Sequence, residues 1–347
     1  MPTKSGTKMA KTSAGLCGIG AAALVAAVAA WGTTGPASAA VVLSPVALTG
    51  YNDGLMVPDT ATSNGNGGSN FSGYVTATFG GGNSTSGNYF YQTGLSGELI
   101  DGMPSNGQVD YTGSNFAATY QLGQFGGNNN VLLLFSPTFG TPVFGGSAPS
   151  TGTLDLVQPG KYTSLSVLDT SGYASSSTTG AVTLNLLNSA DASVTVVTDY
   201  GAPDWFSGSG GGTTPDGNSY TPVLSGVGWI SSPRGFEDNP TAEFYQSTLN
   251  LENLDGYVNG STTLSTGLNL SGDTLESLAF TVVSSSGTSS STQTAIFAVS
   301  GQPVPEPGAL ALFGGAWAGL LLLKRRRERL NASRIAAGRT SLLRAYF

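Results

Sequence analysis

The chain has 347 residues, no histidine, one cysteine and 51 glycines, with 20 acidic against 13 basic side chains. Without histidine there is no Ser-His-Asp triad and no histidine-based zinc site, and a lone cysteine gives neither a disulfide framework nor a four-cysteine zinc cluster. Charge is unevenly spread: residues 40–303 carry 18 acids against Lys161 and Arg234, a net of −16, so this stretch repels nucleic acid and anionic lipid.

From the start of the chain, Lys4, Lys8 and Lys11 form a positive region that precedes an apolar run from Leu16 to Trp31. Ala37-Ser38-Ala39 then gives a small-x-small cleavage pattern, so residues 1–39 read as a secretory signal peptide with an apolar helix, cut after Ala39. No twin arginine is present, which points to the general secretion machinery. Cys17 opens the apolar run rather than following it, so it leaves with the signal and marks no lipoprotein site.

Residues 40–303 form the expected exported domain. Apolar and polar side chains alternate in Leu154–Leu156, Val182–Leu186 and Phe280–Val282, the period of a half-buried strand. Further strands are expected at Tyr74–Phe79, Tyr89–Gln92, Phe116–Leu122, Val131–Phe135, Ser164–Leu168, Ser193–Thr198, Val223–Ile230, Phe244–Leu251 and Thr294–Val299. Turn clusters separate them at Ser63–Asn70, Gly80–Asn88, Gly126–Asn130, Ser207–Asn218 and Ser284–Ser291, where Gly and Asn tolerate positive φ. No segment of this body shows an apolar stripe at helical spacing. The fold expected is all-β: one β-sandwich, jelly-roll-like, carrying the signal helix before it and a single transmembrane helix after it.

Chemistry-bearing residues in the body are few. Trp205, in Asp204-Trp205-Phe206, is the candidate ligand contact of a lectin-like site, because an exposed indole stacks on a sugar ring; its bland alternative, shared with Trp229, is a core plug. Glu237, Asp238 and Glu243 are the candidate carboxylates of a glycosidase-like pair, with a solvated turn as the alternative. Tyr51–Gly54 and Phe236–Asn239 offer oxygen ligands to a structural calcium ion, although neither has EF-hand spacing. No phosphate-binding loop is present, and no catalytic metal or cofactor is expected.

The end of the chain, residues 304–327, reads VPEPGALALFGGAWAGLLLLKRRR. Pro305 and Pro307 fix φ on both sides of Glu306, so this tripeptide continues neither strand nor helix. The apolar run 308–323 spans about 24 Å as a helix, short for a hydrocarbon core of about 30 Å. Lys324, Arg325, Arg326 and Arg327 set its orientation, since basic residues stay on the cytoplasmic side. This ordered triple resembles the PEP-CTERM sorting signal of Gram-negative bacteria. The resemblance implies recognition by an exosortase, a single-pass intermediate in the inner membrane, and delivery to the cell surface or extracellular matrix. A plain membrane anchor is the alternative. Residues 328–347 are expected to form a cytoplasmic tail.

The body is also similar to the exported domains that precede such signals, through Gly160–Leu168, Pro203–Phe206 and Ala295–Gly301. That similarity implies a shared fold and no ligand. The leading expectation is a non-enzymatic exported protein associating with exopolysaccharide; the alternatives are a carbohydrate-binding module and a carboxylate-dependent glycoside hydrolase.

Overall fold

The computed structural model describes residues 41–61, 71, 74, 79–83, 86–113, 116–127, 129–136, 149–206, 208, 210–232, 235–237, 242–282, 292–305 and 320–327. The signal segment, Ala39, Glu306, Pro307 and the tail 328–347 lie outside these residues. Residues 42–347 form one compact unit, and the account below concerns that unit.

The described body is all-β, in three sheets. The first runs β13 (Gly212–Thr213), β14 (Ser219–Ser225), β17 (Glu243–Asn250), β10 (Tyr162–Gly172), β21 (Gln293–Pro303), β1 (Val41–Pro45), β7 (Phe116–Gln121), β6 (Gln108–Thr112), and β8 (Leu132–Phe135) pairs with β21 beside that path. The second runs β19 (Ser265–Leu268), β18 (Leu254–Val258), β12 (Ser193–Gly201), β11 (Thr179–Leu187), β20 (Thr274–Val282), β9 (Thr151–Gly160), β2 (Leu48–Thr49). The third runs β16 (Gly235–Glu237), β15 (Trp229–Ser232), β5 (Ser86–Tyr91), β3 (Met56–Val57), with β4 (Phe79–Asn83) also on β5. The β3–β5 pair is parallel, and the pairings of β10, β11 and β21 with their neighbours given below are antiparallel.

Alternation explains the second sheet. Along β11, Val182, Leu184 and Leu186 are buried while Thr183 and Asn185 are half-buried. Their cross-strand partners include Phe280 and Leu278 of β20 and Val196 of β12, so one face is continuously apolar. That face shares a single buried cluster with Leu165 and Val167 of β10, Leu249 of β17, and Ile296 and Val299 of β21. Side chains of the first two sheets therefore form one core.

β21 departs from the pattern, because its first nine residues are all buried. Ile296 and Val299 enter the common core. Between them, Leu168 pairs with Ala298 and Asp169 with Ile296, which leaves Phe297 as the extra residue of a β-bulge. Phe297 packs against Phe244 and Phe90, at centroid distances of 4.8 and 5.8 Å, and so meets the third sheet through β5.

Two expected stretches are corrected. Val223–Ile230 is not one strand: β14 ends at Ser225 and β15 begins at Trp229, in different sheets. Gly226 at φ 68° and Gly228, where a Cβ would stand 2.0 Å from the Tyr91 hydroxyl, make the break. The Gly80–Asn88 turn cluster is largely strand, as β4 and the start of β5. The helix described at the C-terminal end is 320–327, about 12 Å long, with its four leucines exposed. No helix among the described residues is long and apolar enough to cross a membrane, so the transmembrane helix expected over 308–323 is not among the described elements.

Leu184→Ala is expected to lower unfolding free energy by about 2–5 kcal/mol in denaturant titration, since Leu184 is fully buried at the centre of the common core. Val157→Ala, at a side chain 57% exposed, is expected to change it by less than about 0.5 kcal/mol.

Candidate functional site

Trp205 does not face a ligand. It is 2% exposed, and its ring meets Phe79, Phe90, Trp229 and Phe206 at 5.7, 5.4, 5.0 and 4.2 Å. Its backbone N–H donates to Ser171 O and its carbonyl accepts from Glu243 N, both at 2.8 Å. The expected sugar contact is thus corrected to a core plug that joins β4, β5 and β15, and Trp229, 5% exposed, belongs to the same plug. Only Phe206, 39% exposed, brings this aromatic group to the surface.

Of the expected carboxylates, the two described ones stand on strands of different sheets. Glu237 lies on β16 in the third sheet, opposite Trp229, whereas Glu243 opens β17 in the first sheet and accepts the Tyr245 hydroxyl at 2.6 Å. Asp238 and Asn239 lie outside the described residues. Asn52, in the first calcium candidate, has its side chain tied to the Leu133 backbone, accepting at 2.8 Å and donating at 2.9 Å. Among the described residues no group of three or more acidic side chains could hold a metal ion. Pro305 and the cluster Lys324–Arg327 are described, while the sorting motif's other residues, Glu306 and Pro307, lie outside the described residues.

A different site emerges at the end of the β6–β7 hairpin. It is an open recess of about 470 Å³ lined by Gln92, Asn106, Gln121, Gln124, Phe125 and Pro58, with Ser105 and the backbone of Gly107, Leu122 and Gly123. None of these side chains is ionisable, in a body whose net charge is −16. A second recess of about 290 Å³ shares Gln121, Leu122 and Gly123 and continues to Pro45–Leu48 and Tyr51.

The walls are set by local rules. The Pro104–Gly107 turn closes through Gly107 N donating to Pro104 O at 2.9 Å, and Asn106 Oδ1 accepts Gln108 N at 2.9 Å. Gly107 sits at φ 66°, where a side chain would be strained, and a Cβ there would stand 2.9 Å from Gln121 Nε2. Gln121 Nε2 instead donates to Gly107 O at 3.1 Å, while Gln92 is braced by Ser105 O and Asp59 N at 2.6 and 2.9 Å.

The opposite wall, Gln124–Gly127, hangs on Asn130. This residue is fully buried, its Oδ1 accepts Leu55 N at 2.9 Å, and its Nδ2 donates to Gln124 O, Gly127 O and Met56 O at 3.2–3.3 Å. Gly126, at φ 71°, has no room for a Cβ against Pro58. What remains open to a ligand is the Gln121 Oε1, the Asn106 Nδ2, the exposed Gln124 amide and the half-buried Phe125 ring. That combination presents donors, acceptors and a small apolar face without charge.

The acidic side chains cluster elsewhere. Burial, then the neighbouring Asp216, push the Asp199 carboxyl up to about 6. Asp216 Oδ2 accepts Asp199 N at 3.1 Å and is itself raised, by burial first and by Asp255 as well. Asp204 is raised by burial, against the backbone N–H groups of Phe206, Ala174 and Tyr173 that favour its charge. Tyr51, at the second recess, is pushed up to about 12 by burial and donates to Phe297 O at 3.1 Å.

No family profile matches the chain, and no curated protein matches it. Among solved structures it is similar to a native glycosidic hydrolase at 12% identity and TM-score 0.24, covering 67% of this chain and 96% of that one. It is similar to a Bacteroides ovatus mixed-linkage glucan GH16 protein at 10% identity and TM-score 0.24, covering 62% and 94%. A β-agarase B from Zobellia galactanivorans follows at 9% identity and TM-score 0.19, covering 57% and 76%. These neighbours bear the names of carbohydrate-active enzymes, so the expectation of a non-enzymatic protein is withdrawn. At such TM-scores they assign no reaction and no residue to this chain.

Sequence reasoning missed the recess because glutamine and asparagine in turns and at strand ends carry no motif. The Asn-rich cluster at 126–130 marked the place, as a turn. Two outcomes follow from this geometry. Trp205→Ala is expected to lower unfolding free energy by about 3–5 kcal/mol in denaturant titration, as for a core aromatic. Asp199→Asn is expected to raise thermal stability above pH 6 and leave it unchanged below pH 4, because the raised carboxyl contributes fully at low pH and loses its contribution as pH climbs towards about 6.

Proposed function

We propose that the protein is an exported carbohydrate-binding β-sandwich, jelly-roll-like in strand path, that holds a neutral polysaccharide of the cell surface or extracellular matrix in the Gln121–Phe125 recess. The observation that carries this reading is the chemistry of the recess: four side-chain amides beside a phenylalanine, with no ionisable group, in a strongly acidic body. Amides supply paired donors and acceptors for sugar hydroxyls, and an aromatic face covers the apolar side of a sugar ring. An acidic surface disfavours anionic glycans, so neutral ones are the natural class.

The two ends of the chain then act in delivery. Residues 1–39 engage the secretion machinery, and Pro305-Glu306-Pro307 present the cleavage region to an exosortase. The segment 308–323 and Lys324–Arg327 hold the intermediate in the inner membrane of a Gram-negative cell until processing. What supports this is the order of these three signals in the sequence.

Full-length protein on a glycan array is expected to select neutral over anionic polysaccharide. A Gln121→Ala/Gln124→Ala double variant should weaken that binding roughly tenfold, the effect of one or two lost hydrogen bonds to an uncharged ligand. Binding that is absent, or unchanged in the double variant, contradicts the recess; reducing-sugar release in the same incubations reads whether a bound glycan is also cut. Intact-mass analysis of protein recovered outside the cell is expected to show loss of the segment after Pro305–Pro307, and recovery with 308–327 still attached contradicts the sorting route.

A further inference from the structure

Asp169, on β10, is fully buried, and neither of its carboxylate oxygens has a hydrogen-bond partner. Strand alternation places it on the face of Leu165 and Val167, towards the core shared by the first two sheets. Its register partners are Ile296 of β21 and Tyr245 of β17. From β12 in the second sheet comes Tyr200, also fully buried, its hydroxyl beside Thr294 but without a hydrogen bond of ordinary geometry.

Among the described residues, the polar groups around it bring no positive charge. Tyr120 approaches from β7, and its hydroxyl is engaged by Ser166 and Gln246 at 2.7 and 2.5 Å. Tyr245 donates to Glu243 at 2.6 Å. Ser171 and Thr294 bond each other at 2.7 Å, and Asp204, bridged to Ser171, is held by the N–H groups of Ala174 and Phe206. Lys161 is exposed ahead of β10. Among the described residues neither a cation nor a hydrogen-bond donor meets this carboxylate, and burying an ion unpaired is prohibitive.

We propose that Asp169 is a proton-loaded latch between the two main sheets: in its neutral form the β10–β12 end of the core closes, and its ionisation loosens that end. Burial raises the carboxyl well above its ordinary range and raises Tyr200 likewise, with Asp169 adding to the latter. The sign follows. The folded state keeps a proton that the unfolded chain releases above about pH 4, so the contribution to stability is complete below that pH and falls as pH rises.

Thermal melts of the full-length protein and of Asp169→Asn between pH 4 and pH 9 test this. The two are expected to melt together near pH 4, and the wild type to fall behind by about 3 °C per pH unit above it. A gap that does not change with pH overturns the proposal. So does a rise in wild-type melting temperature at alkaline pH with calcium or sodium ions that the variant lacks, which would make the group a cation ligand instead. Should the variant fail to fold, carboxyl carbon NMR of the wild type decides: an Asp169 signal that stays protonated through pH 6 supports the latch, and one that titrates near pH 4 removes it.

Discussion

The burial of β21 on both faces is the constraint on which the rest of the described body depends. One face contributes Ile296 and Val299 to the core shared with the second sheet; the bulge at Phe297 turns an aromatic ring the other way, onto Phe244 and Phe90. A strand covered on both faces has no polar side to show water, which is why Gln293–Ser300 contains no charged residue. It also has to be hydrogen-bonded along both edges, and β10 on one side with β8 and β1 on the other provide this. The recess inherits its position from that strand. β1 pairs Ser44 with Gly301, β7 follows β1 in the sheet, Ser300 hydroxyl donates to Thr119 O, and Gln121 closes β7 at the rim.

Much of this body was legible as sequence, unevenly. The long strands β11, β12 and β20 announce themselves because one face is buried and the other only partly covered, so alternation is preserved in residues such as Val182, Leu184 and Leu186. β21 was legible for a different reason, as an apolar run bounded by polar residues. The short strands β2, β3, β13 and β16 were not, since two or three residues carry no period. The Val223–Ile230 run reads as one strand because nothing local says that Gly226 and Gly228 send its halves to separate sheets.

The site was least legible where its chemistry is blandest. An exposed-looking Trp-Phe step draws attention to Trp205, yet ring contacts from β4, β5 and β15 close over it, a long-range event with no local signature. Conversely, Gln124 and Asn106 look like ordinary turn residues and Gln121 like the end of a strand; only the hairpin end and the Asn130 anchor bring them to one recess. Asp169 is similar. Its position in the alternating run of β10 puts a carboxyl where valine or leucine would be expected, but its isolation depends on Tyr200 and Tyr245 arriving from other strands.

The most direct measurement of the central claim is side-chain amide NMR of the full-length protein titrated with a neutral oligosaccharide. The account predicts that the Gln121, Gln124 and Asn106 amide resonances shift together and saturate, while those of Asn52 and Asn130, whose groups are held by backbone partners, move little. Shifts confined to the Phe206–Trp229 surface, or no shift at the three amides under saturating ligand, would contradict it.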